Sequence, residues 1–336
     1  MHYTHQKKSS KFVNLASCVA VFVSLFIFIF NVNLDYSKVL KVETDQVLVQ
    51  TNNGDRIIVD SGNFDLKIND KVFIESAGDT NYVSQIYKLN EVKITLLLFC
   101  LFLIYIFKQQ GFRVISSLIG SVLVISYLTL PLIANGYSPI IVCLLSSIIL
   151  VPLTFYLSHG ISKKTNIAVL STLISILFSS LIIYLSMNFL SLSGLSSEES
   201  NFLMFNGQYN FDFKGILFGG ILISLLGILD DITISQTSLT LQIHEANPKQ
   251  SFKRLFSRAM IVGKDHIASL TNTIFLIYAG ASLPLLLLFY VNSQEIGLIL
   301  NNETFIEEII RSLIGSFSLI IAVVISTYIT CYFRNK

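Results

Sequence analysis

Runs of about 20 apolar residues dominate this chain, and a run of that length is what an α-helix needs to cross a lipid bilayer. About eight stretches reach or approach it: 12–32, 94–107, 114–132, 140–157, 167–185, 216–232, 267–291 and 309–333. The second is short and is expected to borrow residues back towards Leu89. Pro131, Gly136 and Pro139 mark a tight turn between the third and fourth. Every backbone polar group must find a partner within the segment in lipid, so the spans are predicted to be helices. Composition agrees. The chain is 53% hydrophobic and 13% charged, against about 25% charged in soluble domains. A purely soluble protein, a disordered chain and a nucleic-acid binder are excluded.

Direction follows from lysine and arginine, which accumulate on the cytoplasmic side. With the N-terminus inside, the inner segments hold Lys7, Lys8, Lys11, Lys108, Arg113, Lys163, Lys164, Arg334 and the basic run between Lys249 and Lys264. Outside the long segment 38–93, only Lys214 and Arg311 fall on the outer side, together with Glu198, Glu199, Asp212, Glu295, Glu303, Glu307 and Glu308. The expected protein is multi-pass with both termini cytoplasmic and residues 37–90 extracytoplasmic. The first span is read as an uncleaved anchor, because no small-x-small site ends it. Leu15-Ala16-Ser17-Cys18 is superficially a lipoprotein box, but the apolar run before it is too short. Cys18, Cys100, Cys143 and Cys331 all fall in apolar segments without paired spacing; they read as small buried hydrophobes.

Three parts are expected: 1–36, a tail and first helix; 37–90, an outer β domain; and 91–336, a seven-helix membrane domain. Within the second, 39–42, 46–50, 56–59, 71–75 and 82–87 read as short strands, and Asn53-Gly54 as a hairpin turn. This suggests a small all-β barrel of OB or SH3-like size inserted after the first helix of an otherwise all-α polytopic membrane protein.

Polar side chains inside membrane segments are functional candidates, since an acid there costs about 3 kcal/mol. The sixth span ends on Asp230-Asp231-Ile232-Thr233-Ile234-Ser235-Gln236. Asp231 and Ser235 share a helix face, and Asp230 points about 100° away. Two adjacent carboxylates repel, which suits proton coupling or cation binding; the simpler reading is that the span ends here and both acids are wet. Gly215, Gly219, Gly220 and Gly227 crowd the same helix and allow close packing. The seventh span opens on Gly263-Lys264-Asp265-His266, followed by Ser269, Thr271, Asn272 and Thr273. These polar groups need partners, and the acids of the sixth span are the obvious ones; alternatively Asn272 and Thr273 simply join helices. Between the two spans, 239–260 is polar and basic. Phe252, Leu255 and Phe256 lie at one-face spacing, so the stretch is expected to rest on the membrane surface or to be a solvated connector.

Phosphate-binding GxxxxGK[ST], HExxH and GxSxG motifs are missing from the sequence. No enzyme activity, metal or cofactor is expected.

The segments Asp231 to Gln236, Glu245-Ala246-Asn247-Pro248, Gly263-Lys264-Asp265-His266-Ile267, Thr271-Asn272-Thr273 and Tyr278-Ala279-Gly280-Ala281-Ser282-Leu283-Pro284 resemble the YibE/F family of bacterial multi-pass membrane proteins. The order and spacing match, and Gly194 to Glu199 and the His159-Gly160 loop fit as well. Lys264 stands where the family often has arginine. The resemblance implies a bacterial plasma-membrane protein and a partner, either a paired YibE/F-like protein or a second copy. A shorter likeness, over about 45 residues, is to the proton-relay helices of the SecD/SecF and RND transporters, by fold analogy only. The expected function is a transporter or transporter subunit for a small substrate or ion, coupled through Asp230 and Asp231 with Ser235, Gln236, Asp265, His266, Thr271, Asn272 and Thr273. The rival is a scaffold or sensor whose β domain binds an envelope component.

Overall fold

The structure, a computed structural model, describes residues 35–43, 46–62, 64–77, 80–205, 211–293 and 295–334. The first expected span, with Cys18, lies outside the described residues. The chain divides into two compact units, Met1–Ser116 and Ser117–Lys336.

The first unit contains the expected barrel. Strands β1 (Ser37–Val42), β2 (Gln46–Gln50), β3 (Arg56–Asp60), β4 (Lys71–Ala77) and β5 (Thr80–Ile86) close in the order β1-β2-β3-β5-β4. Alternation puts Val39, Val47, Val49, Val59, Val72 and Val83 inside, all buried with Leu66. Gly54 takes a φ of +89° in the β2–β3 turn, which an L side chain rarely adopts. The barrel runs into helix α1 (Leu89–Phe107), so the second span does extend back to Leu89. Lys71 sits over the Tyr36 ring at 4.1 Å, and Tyr36 lies 4.9 Å from Tyr87. Helix α2 (Gln109–Val124) begins in this unit and continues into the next.

The second unit is helical. After α2 the third span loosens into a π-helical turn at Ile125–Thr129 and ends as α3 (Leu130–Ala134), with Pro131 in its first turn. Then follow α4 (Pro139–His159), α5 (Lys163–Phe189), α6 (Glu198–Phe205), α7 (Phe213–Ala246), α8 (Phe252–Ala281), α9 (Leu283–Val291), α10 (Ile296–Leu300) and α11 (Glu303–Phe333). Among the described residues, six helices are long and apolar enough to cross a membrane, or seven if the bent pair α8 and α9 is one span. That is the expected set without the first span.

Helix α7 is the axis of this unit and packs against α4, α5, α8 and α11. It runs parallel to α4 in constant register. Pro139 meets Gly215, Cys143 meets Gly219, and Thr154 meets Asp230, each pair 76 positions apart. The glycines make this possible: a Cβ on Gly219 would lie 3.3 Å from Cys143 Cβ and collide with its sulfur. Cys143 and Cys331 are buried, as their apolar settings suggest, whereas Cys100 on α1 is only half-buried.

Two sequence expectations are corrected here. The helix of the sixth span does not end at the acid pair. Helix α7 continues to Ala246, and its 34 residues make about 51 Å at 1.5 Å each. The stretch 239–260 is not a separate surface segment either. It supplies the last turns of α7, a short link at 247–251, and the first turns of α8. Leu255 is fully buried, and Phe252 stacks on Phe256 and meets Tyr328 edge-on at 5.4 Å. The apolar spacing of those three residues therefore reports helix–helix packing. The seventh span also differs from a straight helix: it bends by 59° at Ser282, between α8 and α9. Pro284, in the first turn of α9, has no N–H and crowds the carbonyl four residues back.

Candidate functional site

Hydroxyl groups fill the interior where apolar side chains would be the default. Ser171, Thr172, Ser175 and Ser179 of α5, Thr233, Thr237 and Thr240 of α7, and Ser318, Ser326, Thr327 and Thr330 of α11 are all 0% exposed. Most satisfy themselves by donating to the carbonyl one turn back in their own helix, as Ser175 does to Ser171 at 2.8 Å and Thr233 to Leu229 at 2.8 Å. A hydroxyl so occupied still accepts, and this joins the helices. Thr172 and Thr233 share a hydrogen bond of 2.7 Å between α5 and α7. Thr330 reaches Thr237 at 3.5 Å, and Thr129 of the π-helical turn donates to Ser146 of α4 at 2.8 Å.

Two longer polar side chains of α7 sit in this seam. Gln236 is 0% exposed. Its Nε2 donates to the Ala259 carbonyl at 3.0 Å and to Thr327 Oγ1 at 2.8 Å. Its Oε1 is buried without a partner. Gly263 of α8 passes the same point: a Cβ there would lie 2.7 Å from Val323 Cγ1 and 3.0 Å from Gln236 Nε2. Helices α7, α8 and α11 thus cross at a single amide.

Asp230 lies near the middle of α7 and turns towards α4. Its Oδ2 accepts from Thr154 Oγ1 at 2.8 Å. Its Oδ1 is buried without a partner. Asp231 and Ser235 are on the exposed strip of α7. Asp231 lies close enough to His159, the last residue of α4, to interact with it electrostatically.

The remaining predicted residues are elsewhere. On α8, Asp265, Asn272 and Thr273 are exposed, while His266 and Thr271 are half-buried. Thr273 donates to the Ser269 carbonyl of its own helix, and His266 Nδ1 is buried without a partner. The structure pairs Asp230 with Thr154, not with Asp265, and Gln236 is the predicted residue that joins α7 to α8. Thr154, His159 and the hydroxyl seam are not among the sequence candidates. The four-residue spacing of Ser171, Ser175 and Ser179 is a visible signal for the seam. A lone threonine in a leucine-rich span gives none. Among the described residues no three His, Cys, Asp or Glu side chains are grouped to hold a metal ion. A small cavity at the start of α7, lined by Asn188, Asp212 and Lys214 among others, stands apart from the acid pair.

Residues 95–336 match the family described as YibE/F-like protein. The chain belongs to the YibE/F family. The match begins inside α1, so the membrane helices are the family's part and the barrel lies outside it. No curated protein and no solved structure matches the chain. It is thus an integral, multi-pass membrane protein of the YibE/F family, with an added five-stranded barrel.

Proposed function

We propose that this YibE/F protein is a transporter or transporter subunit, coupled to protons or a cation through Asp230 and Asp231, and not an enzyme. The observation that carries the reading is the environment of Asp230. A carboxyl group within a membrane helix has a single hydroxyl partner, and its other oxygen is buried without one. An ionisable group in that position marks a substrate or ion path by default. Ser235, on the same exposed strip as Asp231, would line the approach, and Gln236 would hold the crossing helices. The charge distribution supports an orientation in the bacterial plasma membrane with both termini in the cytoplasm and the barrel outside. A paired YibE/F-like protein or a second copy would complete the assembly.

Proton flux into proteoliposomes under an imposed potential tests this. Wild-type protein is expected to give a pH-dependent flux that Asp230→Asn and Asp231→Asn abolish. Flux and growth unchanged in both variants, with folded protein, would sink the proposal. The rival role, a scaffold or sensor, draws support from the barrel's own closed core. Deleting residues 37–89 separates the two, because the rival predicts total loss of function and a transport core retains part of it.

A further inference from the structure

The coupling ion and its entry point follow from the way α4 lies along α7. The two helices keep a register of 76 positions from Pro139 to Thr154. Continued by one turn and a half, that register brings His159 to the level of Ser235, one turn beyond Asp231. His159 is exposed at the end of α4, its ring 6.2 Å from that of Phe155, and it lies within electrostatic range of Asp231. Asp231 is exposed and neighbours Asp230, whose open oxygen is buried. The order from the surface inwards is therefore an imidazole, an exposed carboxylate, a buried carboxyl, and the hydroxyl of Thr154.

We infer that His159 is the residue through which protons reach Asp231 and Asp230, and that the ion this site handles is the proton. The inference rests on the transport reading above and adds its ion and its entry residue. Three points favour a proton over a metal cation. A hard cation takes about six oxygen ligands or more, whereas Asp230 has one hydroxyl beside it. Proton transfer needs only donors and acceptors in sequence, and imidazole serves as both. The other charges at this end are cationic: Lys164 beside His159, and Lys163, whose ammonium donates to the Arg334 carbonyl at 2.9 Å. Lys164 of α5 and Asp231 of α7 are the charged groups within electrostatic range of His159, and Arg334 at the end of α11 is a further cation beside Lys163. A proton transferred from the imidazolium Nε2–H or Nδ1–H to the Asp231 carboxylate leaves neutral imidazole and a neutral carboxyl. The imidazole is then reprotonated from water, and Asp231 passes its proton to the Asp230 carboxylate.

The test uses the full chain in lipid vesicles, with protons as the probe. Infrared difference spectroscopy follows the protonated-carboxyl band that Asp230→Asn removes. After a pH jump this band should change at least tenfold more slowly in His159→Gln and His159→Ala than in wild type. Imidazole in the buffer should restore the rate, and sodium or potassium at constant pH should leave the band unmoved. Wild-type rates in both variants, or a band that responds to sodium at constant pH, would overturn the inference. A second measurement needs no His159 variant. The 15N-histidine signal of His159 should titrate differently once Asp231→Asn is made, and an unchanged titration would also overturn it. The two claims fail separately. Proton exchange at Asp230 without transmembrane flux sinks the transport reading alone. A sodium-driven flux indifferent to His159 sinks this inference alone.

Discussion

Thr154 Oγ1 donates to Asp230 Oδ2 at 2.8 Å across the α4–α7 contact, while Asp230 Oδ1 is buried and open. One oxygen therefore joins the two helices, and the other has no hydrogen-bond partner among the described residues. Hydrogen bonds between membrane helices contribute on average about 0.6 kcal/mol. Thr154→Val should cost about that much, read as a small drop in thermal midpoint in detergent. Asp230→Leu should be neutral or stabilising, because it removes a desolvated polar group while Thr154 keeps its bond to the Val151 carbonyl at 3.1 Å. A coupling energy near zero in the Thr154→Val, Asp230→Leu double-mutant cycle would show that the bond contributes nothing.

Gly263 is a point where three helices allow no side chain. A Cβ there would press on Val323 at 2.7 Å and on the Gln236 amide at 3.0 Å. Val323 is β-branched and fully buried, so it has little freedom to move. Gly263→Ala is expected to destabilise the helical unit by about 1–3 kcal/mol, the usual range for overpacking. Val323→Ala should restore part of the loss. Equal thermal midpoints for wild type and Gly263→Ala would contradict this crossing geometry.

The spans and the barrel strands are legible in the sequence because each rests on a local signal. Twenty apolar residues need no tertiary context to mark a helix, and valines alternating through 47–49 mark a strand with one buried face. The end of helix α7 is not legible for a related reason. Hydropathy falls at Asp230-Asp231, and the fall resembles a membrane boundary. Yet Thr237 and Thr240, polar by composition, are fully buried, Thr237 against Thr330 of α11, so α7 continues as packed helix. Thr154 as the partner of Asp230 depends on which two helices run parallel and in what register. No pattern within one segment encodes that. The bend at Ser282 had a local signal in Pro284, but proline inside an apolar run marks a break without giving its angle.

The parallel register of α4 and α7 has a direct chemical test. Cys143 is buried and free, and a Cβ at position 219 would lie 3.3 Å from its Cβ, close to the 3.5–4.5 Å spacing of disulfides. Gly219→Cys should therefore oxidise with Cys143 inside the folded protein. Mass spectrometry should find the cross-linked peptide pair, and maleimide labelling should fall by two thiols relative to the reduced sample. A control cysteine at Gly220, on the exposed strip of α7 with nothing within 4 Å, should not pair with Cys143. Cross-linking from position 220 but not 219 would mean that α7 is rotated from the arrangement described.

At the start of α11, Glu303 holds the loop between α5 and α6. One carboxylate oxygen, Oε1, accepts from Ser193 N at 2.6 Å, Ser193 Oγ at 2.8 Å and Gly194 N at 3.3 Å. Thr304 adds a bond to the Ser196 carbonyl at 3.1 Å. Glu303 also occupies the first turn of its helix, where a negative charge is favourable. Gly194 takes a φ of +76° in the held loop, and a Cβ there would run into the Phe213 backbone. The loop conformation is therefore maintained by a charge on one side and by the lack of a side chain on the other. Hydrogen bonds to a charged group contribute about 1.5–3 kcal/mol when intact. Glu303→Ala should thus raise hydrogen exchange at the Ser193 and Gly194 amides by roughly tenfold or more, since about 1.4 kcal/mol is a factor of ten. Glu303→Gln should give a smaller rise, because its carbonyl oxygen still accepts but carries no charge. Protection unchanged in Glu303→Ala would mean that the loop is held by its own turn and not by α11.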